Sequence, residues 1–502
     1  MNDPERVAVI VGVGQINDRP DDWRDGLDSL GLMEAALRRA DADAGGGWLN
    51  GIDRLATVDQ ISCPDIDDIA AKLAERLGAG GAETETTDMP HGDSPVRLLN
   101  EAANRIAAGE ITVMAVVGAE ALRTMAAKAK ADAAAGGTVA RPGDILRTNP
   151  KRRTAPYRQA FGLSAPVDLY PIYENACRHH WGQDLAQGQD ETGEIWSRMA
   201  RVAAVTEGAV IRRGATADEV ITPGPQNRMI AHPYSKLMVA NASVNQGAGF
   251  IVTSLAEARR RGLSDDRLVH VGHGAAAQEP YEFLEREGYW RSVSMEEVLR
   301  ATLEFNKIGV GDLDHVELYS CFPVVPKLAR RVLDWPLEKP VTVFGGLTFG
   351  GAPVANYMSH ALVCMVEKLR GKGGKGLLYA NGGIVTTNHA IVLSGVALDG
   401  GGTVRDPDVQ ARADARRGPA PGMDEDYEGA VSVESWTVHY GRDGAPSRAV
   451  IVARSVTGAR TLAEVPLDEA ATIDGLTDGS WDPIGAAGRI DVSDGMRRFQ
   501  FG

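Results

Sequence analysis

The sequence predicts a layered α/β protein that carries a separate β domain at its C-terminal end. Val7 to Val13 is a continuous apolar run followed by Gly14, which is typical of a strand buried on both faces. Segments with strand and helix patterns then alternate along the chain, as in layered α/β proteins. Beyond residue 429 the pattern changes to β-rich runs separated by turn residues. We therefore expect two architectures within the 502 residues.

The first elements follow from hydrophobic spacing. Apolar residues recur at helical intervals over Gly26 to Ala40 and over Ile69 to Leu77, whereas Leu55 to Ile61 suits a strand. Ser94-Pro95 is typical of the cap and first residue of a further helix. The buried-type strand ITVMAVVGA follows that helix. The alternation of strands and helices predicts a layered α/β core.

The same order of elements recurs near residue 350. There the glycine-rich turn GGLTFGGAP precedes a helical stretch, and GLLYANGG follows as a strand. We assign residues 1–121 and 236–265 to a first half and residues 266–396 to a similar second half. Residues 122–235 lie between them and are polar and irregular in pattern, which predicts an inserted domain that covers a site.

The C-terminal part contains a linker and a small β domain. Residues 397–428 are rich in glycine, proline and charge, as linkers are. The runs GAVSVESWTVHY and APSRAVIVARSV are joined by a turn at residues 441–444 and predict a hairpin, and GARTLAEVP predicts a third strand. Residues 429–502 should therefore form an all-β barrel.

Charge and cysteine usage exclude several classes of protein. The net charge of −15 disfavours binding to nucleic acids or anionic membranes. The four cysteines lie far apart and form no CxxC pair, so we expect neither a disulfide framework nor a thiolate metal site. We also expect a cytoplasmic protein, because the sequence contains neither a basic leader nor an apolar run of about 18 residues.

The segment ANASVNQG, residues 240–247, resembles the thiolase signature in which an AGNAS-type loop and an NDGA turn lead into a strand and a helix, with Gln246 in place of the aspartate. The resemblance continues in family order through NRIAAGEITVMAVVGAEAL, EFNKIGVGDLDHVELYSCF, FGGLTFGGAP and LLYANGG, and covers residues 5–396. It implies the five-layered αβαβα thiolase fold, built from two similar halves with an inserted loop domain.

The resemblance also implies that the residues of thiolase chemistry are altered. Thiolases make or break a carbon–carbon bond next to a thioester with a nucleophile, a base and two oxyanion sites. The family's nucleophilic cysteine falls on Gly92 and its catalytic histidine on Ala352. Neither residue offers a nucleophile or a proton. The family's asparagine motif corresponds to residues 319–322, which are YSCF in this chain. The family's last cysteine falls on Tyr379 or Ala380.

The GDSP segment at Gly92, together with an added C-terminal β domain, resembles the type 1 thiolase-like proteins related to sterol-carrier-protein thiolases. That subgroup lacks the thiolase cysteine. Its extra domain resembles an oligonucleotide/oligosaccharide-binding barrel, and its members are typically monomers. The resemblance therefore implies a monomer or a weak homodimer that retains an acyl-CoA pocket without ordinary thiolase activity.

Three functions remain open at this stage. The first is a protein that binds a CoA thioester as its only small-molecule partner, with no other cofactor. The second is a lyase that cleaves a β-hydroxyacyl-CoA by a retro-aldol step with a tyrosine as acid or base. The third is a non-catalytic binding or scaffold protein, whose pocket would be filled by side chains.

The candidate site residues follow from the same motifs. The candidate catalytic groups are Tyr319, Tyr357 and Cys321. The candidate substrate-binding residues are Ser243, Asn241, Gly345, Gly346 and Gly382.

Two other patterns suggest chemistry but favour structural interpretations. The loop from His91 to Ser94 holds a histidine, an aspartate and a serine, yet neighbours on one loop do not align as a catalytic triad, so Ser94 is predicted to cap a helix. His179-His180 and the pair His270 and His273 lack a third ligand at suitable spacing. We therefore predict no metal site.

Overall fold

The computed structural model describes residues 3–136, 155–493 and 495–502. It contains one nine-stranded mixed sheet with helices on its faces and one seven-stranded sheet that closes into a barrel. The predicted combination of a thiolase-like α/β body and a C-terminal β-barrel is confirmed. Within these described ranges, no helix combines the length and the apolar character needed to cross a membrane.

The strands of both sheets are numbered along the chain. They are β1 (Ala8–Asn17), β2 (Arg54–Thr57), β3 (Glu83–Thr86), β4 (Val113–Glu120), β5 (Met229–Ala231), β6 (Tyr234–Ser235), β7 (Gln246–Ser254), β8 (Val269–Gln278), β9 (His315–Leu318), β10 (Lys375–Gly382), β11 (Thr387–Ser394), β12 (Gly429–Tyr440), β13 (Pro446–Ser455), β14 (Arg460–Val465), β15 (Ala487–Ser493) and β16 (Met496–Phe501).

The α-helices are numbered in the same way. They are α1 (Ser29–Asp43), α2 (Ile69–Leu77), α3 (Ser94–Ala108), α4 (Leu122–Ala134), α5 (Pro156–Ala160), α6 (Pro166–His180), α7 (Leu185–Val205), α8 (Ala217–Ile221), α9 (Leu255–Arg260), α10 (Val293–Phe305), α11 (Val324–Leu333), α12 (Tyr357–Leu369), α13 (Gln410–Arg416) and α14 (Ala470–Thr477).

The nine-stranded sheet consists of two halves with the same internal order. The strand order is β3-β2-β4-β7-β1-β8-β11-β10-β9, so that β1, β7, β4 and β2 correspond to β8, β11, β10 and β9. The halves meet where β1 pairs antiparallel with β8 through Val9–His270 and Ile10–Val269. Helices α3 and α12 contact each other and strands of both halves, whereas α1 covers the first half and α10 the second. This arrangement confirms the two similar halves and their layers.

Most predicted elements of the body are present, with two differences. Helix α2 has the predicted bounds, and β1 extends past the predicted run to Asn17. Strand β2 stops at Thr57, short of the predicted Ile61. The second difference is at Ser94, which is the first residue of α3 and not its cap. Asp93 takes the cap position, and the Ser94 amide donates to the His91 carbonyl at 3.1 Å.

The inserted segment is mostly helical in its described part, which corrects the prediction that it is irregular. Helices α4 to α8 lie within it, and residues 137–154 lie outside the described residues. The longest helix, α7, begins with a capping box in which Asp184 accepts from the Gln187 amide and Gln187 accepts from the Asp184 amide. The segment ends in β5 and β6, and β5 pairs with β12 of the barrel.

The C-terminal domain is a closed barrel with one added helix. Strands β12 and β13 form the predicted antiparallel hairpin, β14 is the predicted third strand, and β15 and β16 complete the barrel. Trp436, Ile451 and Phe499 are buried in its interior. The sequence predicted an all-β barrel. The barrel is present, but the domain also contains helix α14, whose Ile473 and Leu476 pack into the same core.

Helix α6 connects the insertion to the second half and to the barrel. The Asn175 side chain donates to the Trp436 carbonyl at 3.0 Å, and the Ser435 hydroxyl donates to the Ile172 carbonyl at 2.7 Å. On another face, Glu174 forms an ion pair with Lys327 of α11 at 2.6 Å, and both side chains are almost completely buried. Because charges buried in this way need a partner, the ion pair fixes α6 against the body.

Replacement of Lys327 by methionine should strongly destabilise the protein. The substitution leaves the Glu174 carboxylate buried without its counter-charge, a change that costs about 3–5 kcal/mol in the free energy of unfolding. The measurement is urea denaturation followed by circular dichroism. Arg412→Met is the matched control, since it removes an ion pair with Glu304 at 2.8 Å that is exposed to solvent. Equal losses in both variants would contradict the assigned role of the buried pair.

Candidate active site

Gly92 stands directly before α3 in a space with no room for a side chain. A Cβ atom at this position would lie 2.3 Å from the Asn381 carbonyl oxygen and 2.4 Å from the Tyr319 hydroxyl oxygen. Real Cβ atoms do not approach other atoms this closely, so any larger residue requires the neighbours to move. The phenol of Tyr319 therefore occupies the space in front of Gly92.

Tyr319 is held by the sheet of the second half. It follows β9, and its amide donates to the Tyr379 carbonyl at 3.1 Å. Burial raises the pKa of the Tyr319 phenol well above its ordinary value, and the neighbouring Cys321 and Asp93 act in the same direction. The hydroxyl is therefore protonated at neutral pH and can donate a hydrogen bond to a ligand.

Cys321 lies beside Tyr319 but lacks the surroundings of a reactive thiol. Burial raises the pKa of the Cys321 thiol to about 12, and a hydrogen bond from Tyr170 only partly offsets this effect. Since the thiolate is the nucleophilic form of cysteine, such a thiol is inert at neutral pH. The structure thus brings the sequence-predicted Cys321 to the site in an unreactive state.

Asn381 is a site residue that the sequence reasoning did not select. Its side chain is buried, and its Nδ2 group has no hydrogen-bond partner among the residues that the structure describes. The Tyr170 hydroxyl, from the insertion, donates to the Asn381 Oδ1 at 3.5 Å. A buried donor without a partner suits a site that accepts a polar ligand atom. Asn381 was next to a predicted catalytic position, whereas Tyr170 carried no signal in the sequence.

Gly382 at the end of β10 packs against Asp93 of the loop before α3, next to Gly92. The Thr387 hydroxyl donates to the Asp93 carboxylate at 2.6 Å. A Cβ at Gly382 would lie 2.5 Å from the Thr387 hydroxyl and 2.8 Å from the Asp93 carboxylate. The glycine thus lets the strand approach the loop before α3, and Asp93 pairs with Thr387 instead of with His91.

The hydroxyl of Tyr357 is directed away from Gly92. It donates to the Glu317 carboxylate at 2.7 Å, and both side chains are fully buried. Glu317 also accepts from the Thr342 hydroxyl and the Val343 amide, each at 2.8 Å, and burial raises its pKa to about 7. The Tyr357 ring packs edge-on against Tyr319 with 5.8 Å between ring centres. Tyr357 therefore positions Tyr319 and is not itself directed at the site.

The predicted substrate-binding loop is held together by its backbone. The Asn241 amide donates to the Leu347 carbonyl at 3.0 Å, and its carbonyl accepts from the Ala352 amide at 2.9 Å. Its side chain accepts from the Ser243 amide at 3.2 Å. Asn241 thus joins the loop to the segment that contains Ala352, and Ser243 is exposed at the surface.

Gly345 and Gly346 face helix α7 of the insertion. Both have positive φ values, 120° and 71°, which favour glycine. A Cβ at Gly345 would lie 2.6 Å from Cβ of Ala203, and one at Gly346 would lie 2.5 Å from the Met199 sulfur. The close approach that these glycines permit is therefore to a helix, and their contact with substrate remains a prediction.

The histidine pairs lie apart from this site. His179 contacts the Asp482 carboxylate at 2.7 Å on the surface, and His270 and His273 lie on β8. In the described part of the chain, no three His, Cys, Asp or Glu side chains are grouped as metal ligands.

Comparisons with known proteins also indicate a thiolase-like fold with an added C-terminal domain. The model of the thiolase-like protein type 1 additional C-terminal domain matches residues 408–495. A monomeric SCP2-thiolase-like protein type 1 from Mycobacterium smegmatis is 28% identical, with a TM-score of 0.81 and 100% of each chain covered. A search of curated protein sequences gave no match.

Two enzymes share the fold at lower identity. An Ltp2-ChsH2(DUF35) aldolase is 18% identical over 78% of this chain and 98% of its own, with a TM-score of 0.58. Human mitochondrial 3-ketoacyl-CoA thiolase is 15% identical over 79% of this chain and 100% of its own, also with a TM-score of 0.58. The chain therefore resembles the thiolase-like proteins of type 1, which are related to the SCP2-thiolase-like proteins, and its residues 408–495 match the additional domain of that type.

The added C-terminal domain begins before the predicted barrel. The family model starts at residue 408, inside the segment predicted to be a linker, and that segment contains α13. The Ala276 amide donates to the Pro407 carbonyl at 2.7 Å, so the segment is bound to β8. The segment is therefore part of the packed structure.

Replacement of Gly92 by alanine should destabilise this thiolase-like protein by about 1–3 kcal/mol, the usual cost of overpacking. The main obstacle is the Asn381 carbonyl, which belongs to the backbone and cannot move aside as a side chain can. Thermal unfolding of the purified variant is the measurement. Gly311→Ala is the control because a Cβ there meets no atom within 4 Å. A Gly92→Ala protein as stable as the control would show that Tyr319 and Asn381 do not fill this space.

Proposed function

We propose that this protein binds an acyl thioester, such as acyl-CoA, at the Gly92 site and catalyses neither thiolysis nor Claisen condensation through a cysteine. The observation that carries the proposal is the position of Tyr319, whose hydroxyl fills the space in front of Gly92. Glycine at position 92 has no nucleophilic side chain, and the surrounding atoms leave no room for one.

The neighbouring groups do not replace the missing nucleophile. Transfer of an acyl group to sulfur requires a thiolate within reach of the carbonyl carbon and a base that generates it. The nearby thiol, Cys321, has a pKa raised to about 12. Ala352, on the segment where the thiolase resemblance places a histidine, has no ionisable group. An acyl-cysteine intermediate is therefore disfavoured at each step.

Binding is supported by two donors on residues that adjoin Gly92. The Nδ2 group of Asn381 has no partner among the described residues, and the Tyr319 hydroxyl is protonated. Both can donate to the oxygen of a thioester carbonyl, as the donors of an oxyanion site do. We propose that Ser243 of the same loop as Asn241, which is exposed, contacts the CoA part.

Purified protein should therefore show no thiolysis of acetoacetyl-CoA in the presence of free CoA, and mass spectrometry should detect no acylated cysteine. Binding itself is measured by the rise in melting temperature with acetoacetyl-CoA, since a ligand of the native state stabilises it. Asn381→Ala should reduce that rise, and Asn50→Ala is the surface control. Turnover at about 1 s⁻¹ or faster, abolished in Cys321→Ser, would overturn the proposal. The absence of a thermal shift would overturn the binding part.

A retro-aldol lyase is the second candidate, and the position of Tyr319 favours it. In that reaction a base removes the proton of the β-hydroxyl group, the carbon–carbon bond breaks, and the enolate of the acyl thioester takes up a proton. The Tyr319 hydroxyl, which burial keeps protonated, is the candidate proton donor, and the nearby Asp93 carboxylate is the candidate base. The structural similarity to the Ltp2-ChsH2(DUF35) aldolase adds support at the level of the fold.

Tyr319→Phe should lower any aldol cleavage of a β-hydroxyacyl-CoA by about 10²–10⁴-fold, the range for loss of an acid or base. Tyr357→Phe is the comparison, because its hydroxyl serves Glu317 and should affect the rate less. Release of the aldehyde or ketone product is measured directly. A rate undiminished in Tyr319→Phe would exclude this tyrosine from the reaction.

A further inference from the structure

A second cavity lies along α3. It has a volume of about 320 Å³, opens to the surface, and is formed by α3, by β11 and by residues 404–407. Its lining includes the charged residues Arg97, Glu101, Arg105 and Glu110, together with Asn100, His389, Val404 and Pro407. Gly92, Tyr319 and Asn381 do not line it, so it is distinct from the site described above.

His389 lies at the inner wall of this cavity and lacks hydrogen-bond partners. Its side chain is 2% exposed, and neither ring nitrogen has a partner among the residues described. Burial lowers the pKa of His389 to about 4, so the ring is neutral and offers one donor and one acceptor. A buried polar group without a partner destabilises the native state. A ligand that pairs with His389 removes that cost.

Arg97 supplies positive charge at the same cavity. The Glu101 carboxylate is shared by three guanidinium groups: Arg105 at 2.9 Å, Arg97 at 3.7 Å and Arg54 at 4.0 Å. Arg97 is thus the less closely paired of the two arginines that line the cavity, and its side chain is about half exposed. A guanidinium group in this position is suited to a carboxylate, which it can bind through two parallel hydrogen bonds.

The outer wall of the cavity is fixed by the segment that leads to the barrel. The Asn104 side chain donates to the Arg405 carbonyl at 2.9 Å and accepts from the Arg405 amide at 3.1 Å. These bonds hold Val404 and Pro407 opposite Ala108 as an apolar wall. The cavity is therefore already formed without a ligand, which lowers the cost of binding.

We propose that this cavity binds a small organic acid with a short apolar chain. The carboxylate contacts Arg97 and accepts a hydrogen bond from His389, and the chain packs against Ala108, Val404 and Pro407. The volume suits such a molecule and excludes one of the size of CoA. A metal ion is disfavoured because, within the described ranges, His389 belongs to no group of three potential ligands.

The test uses the full-length protein and sodium hexanoate as the probe. Isothermal titration should show one saturable site, and hexanoate should raise the melting temperature. His389→Met and Arg97→Gln should each weaken hexanoate binding by about tenfold or more, as expected for a lost hydrogen bond to a charged group. Hexanamide, which lacks the charge, should bind more weakly to the unmodified protein.

Two matched controls locate the binding. Arg300→Gln removes a surface arginine of similar exposure that pairs with Glu296 four residues away, and it should leave hexanoate binding unchanged. Cys321→Ser alters the Gly92 site and should also leave it unchanged. The absence of hexanoate binding at millimolar concentration overturns the proposal. The proposal is also overturned if His389→Met and Arg97→Gln bind hexanoate as tightly as the unmodified protein, or if Cys321→Ser loses hexanoate binding. If His389→Met fails to fold, Arg97→Gln alone decides, because its side chain is partly exposed.

Discussion

The buried ion pair between Glu174 and Lys327 is the contact on which the arrangement of the whole molecule depends. An ammonium group and a carboxylate that are both shielded from water are stable only together, so the pair permits one position of α6 relative to α11. The Tyr234 hydroxyl also donates to Glu174 at 2.8 Å, which ties the end of the insertion to the same point. Helix α6 is thereby fixed between the second half of the body and the barrel.

The position of α6 explains how the candidate site is assembled. Tyr170 of this helix lies near Asn381 and Cys321 of the second half, and its ring stacks on Phe322 with 4.5 Å between centres. The first half contributes Gly92 and Asp93, which lie before α3, and the loop that holds Asn241 and Ser243. In this way the insertion, which was expected to cover a pocket, also supplies the Tyr170 side chain to the site. The Tyr319 phenol in front of Gly92 is the observation on which the proposed lack of cysteine chemistry rests.

The barrel is coupled to this site through the same helix. Strand β12 accepts a hydrogen bond from Asn175 and donates one to the Ile172 carbonyl, so one strand of the barrel lies along α6. The segment before the barrel crosses β8 and closes the cavity at His389. The added domain and the segment before it thus contact the body next to each of the two sites. Its acidic character agrees with a role in packing and not in nucleic-acid binding.

The sequence by itself determined the fold class, the duplicated halves and the barrel, because regular apolar spacing reports directly which face of a strand or helix is buried. It did not reveal the helices of the insertion, since their buried faces carry charged residues such as Glu174 and Glu191 that find partners in α11. Motif resemblance located Gly92 and Tyr319, but only the tertiary structure decided that Tyr319 turns toward Gly92 while Tyr357 turns toward Glu317. Side-chain direction depends on contacts between residues far apart in the chain, and local sequence patterns do not contain that information.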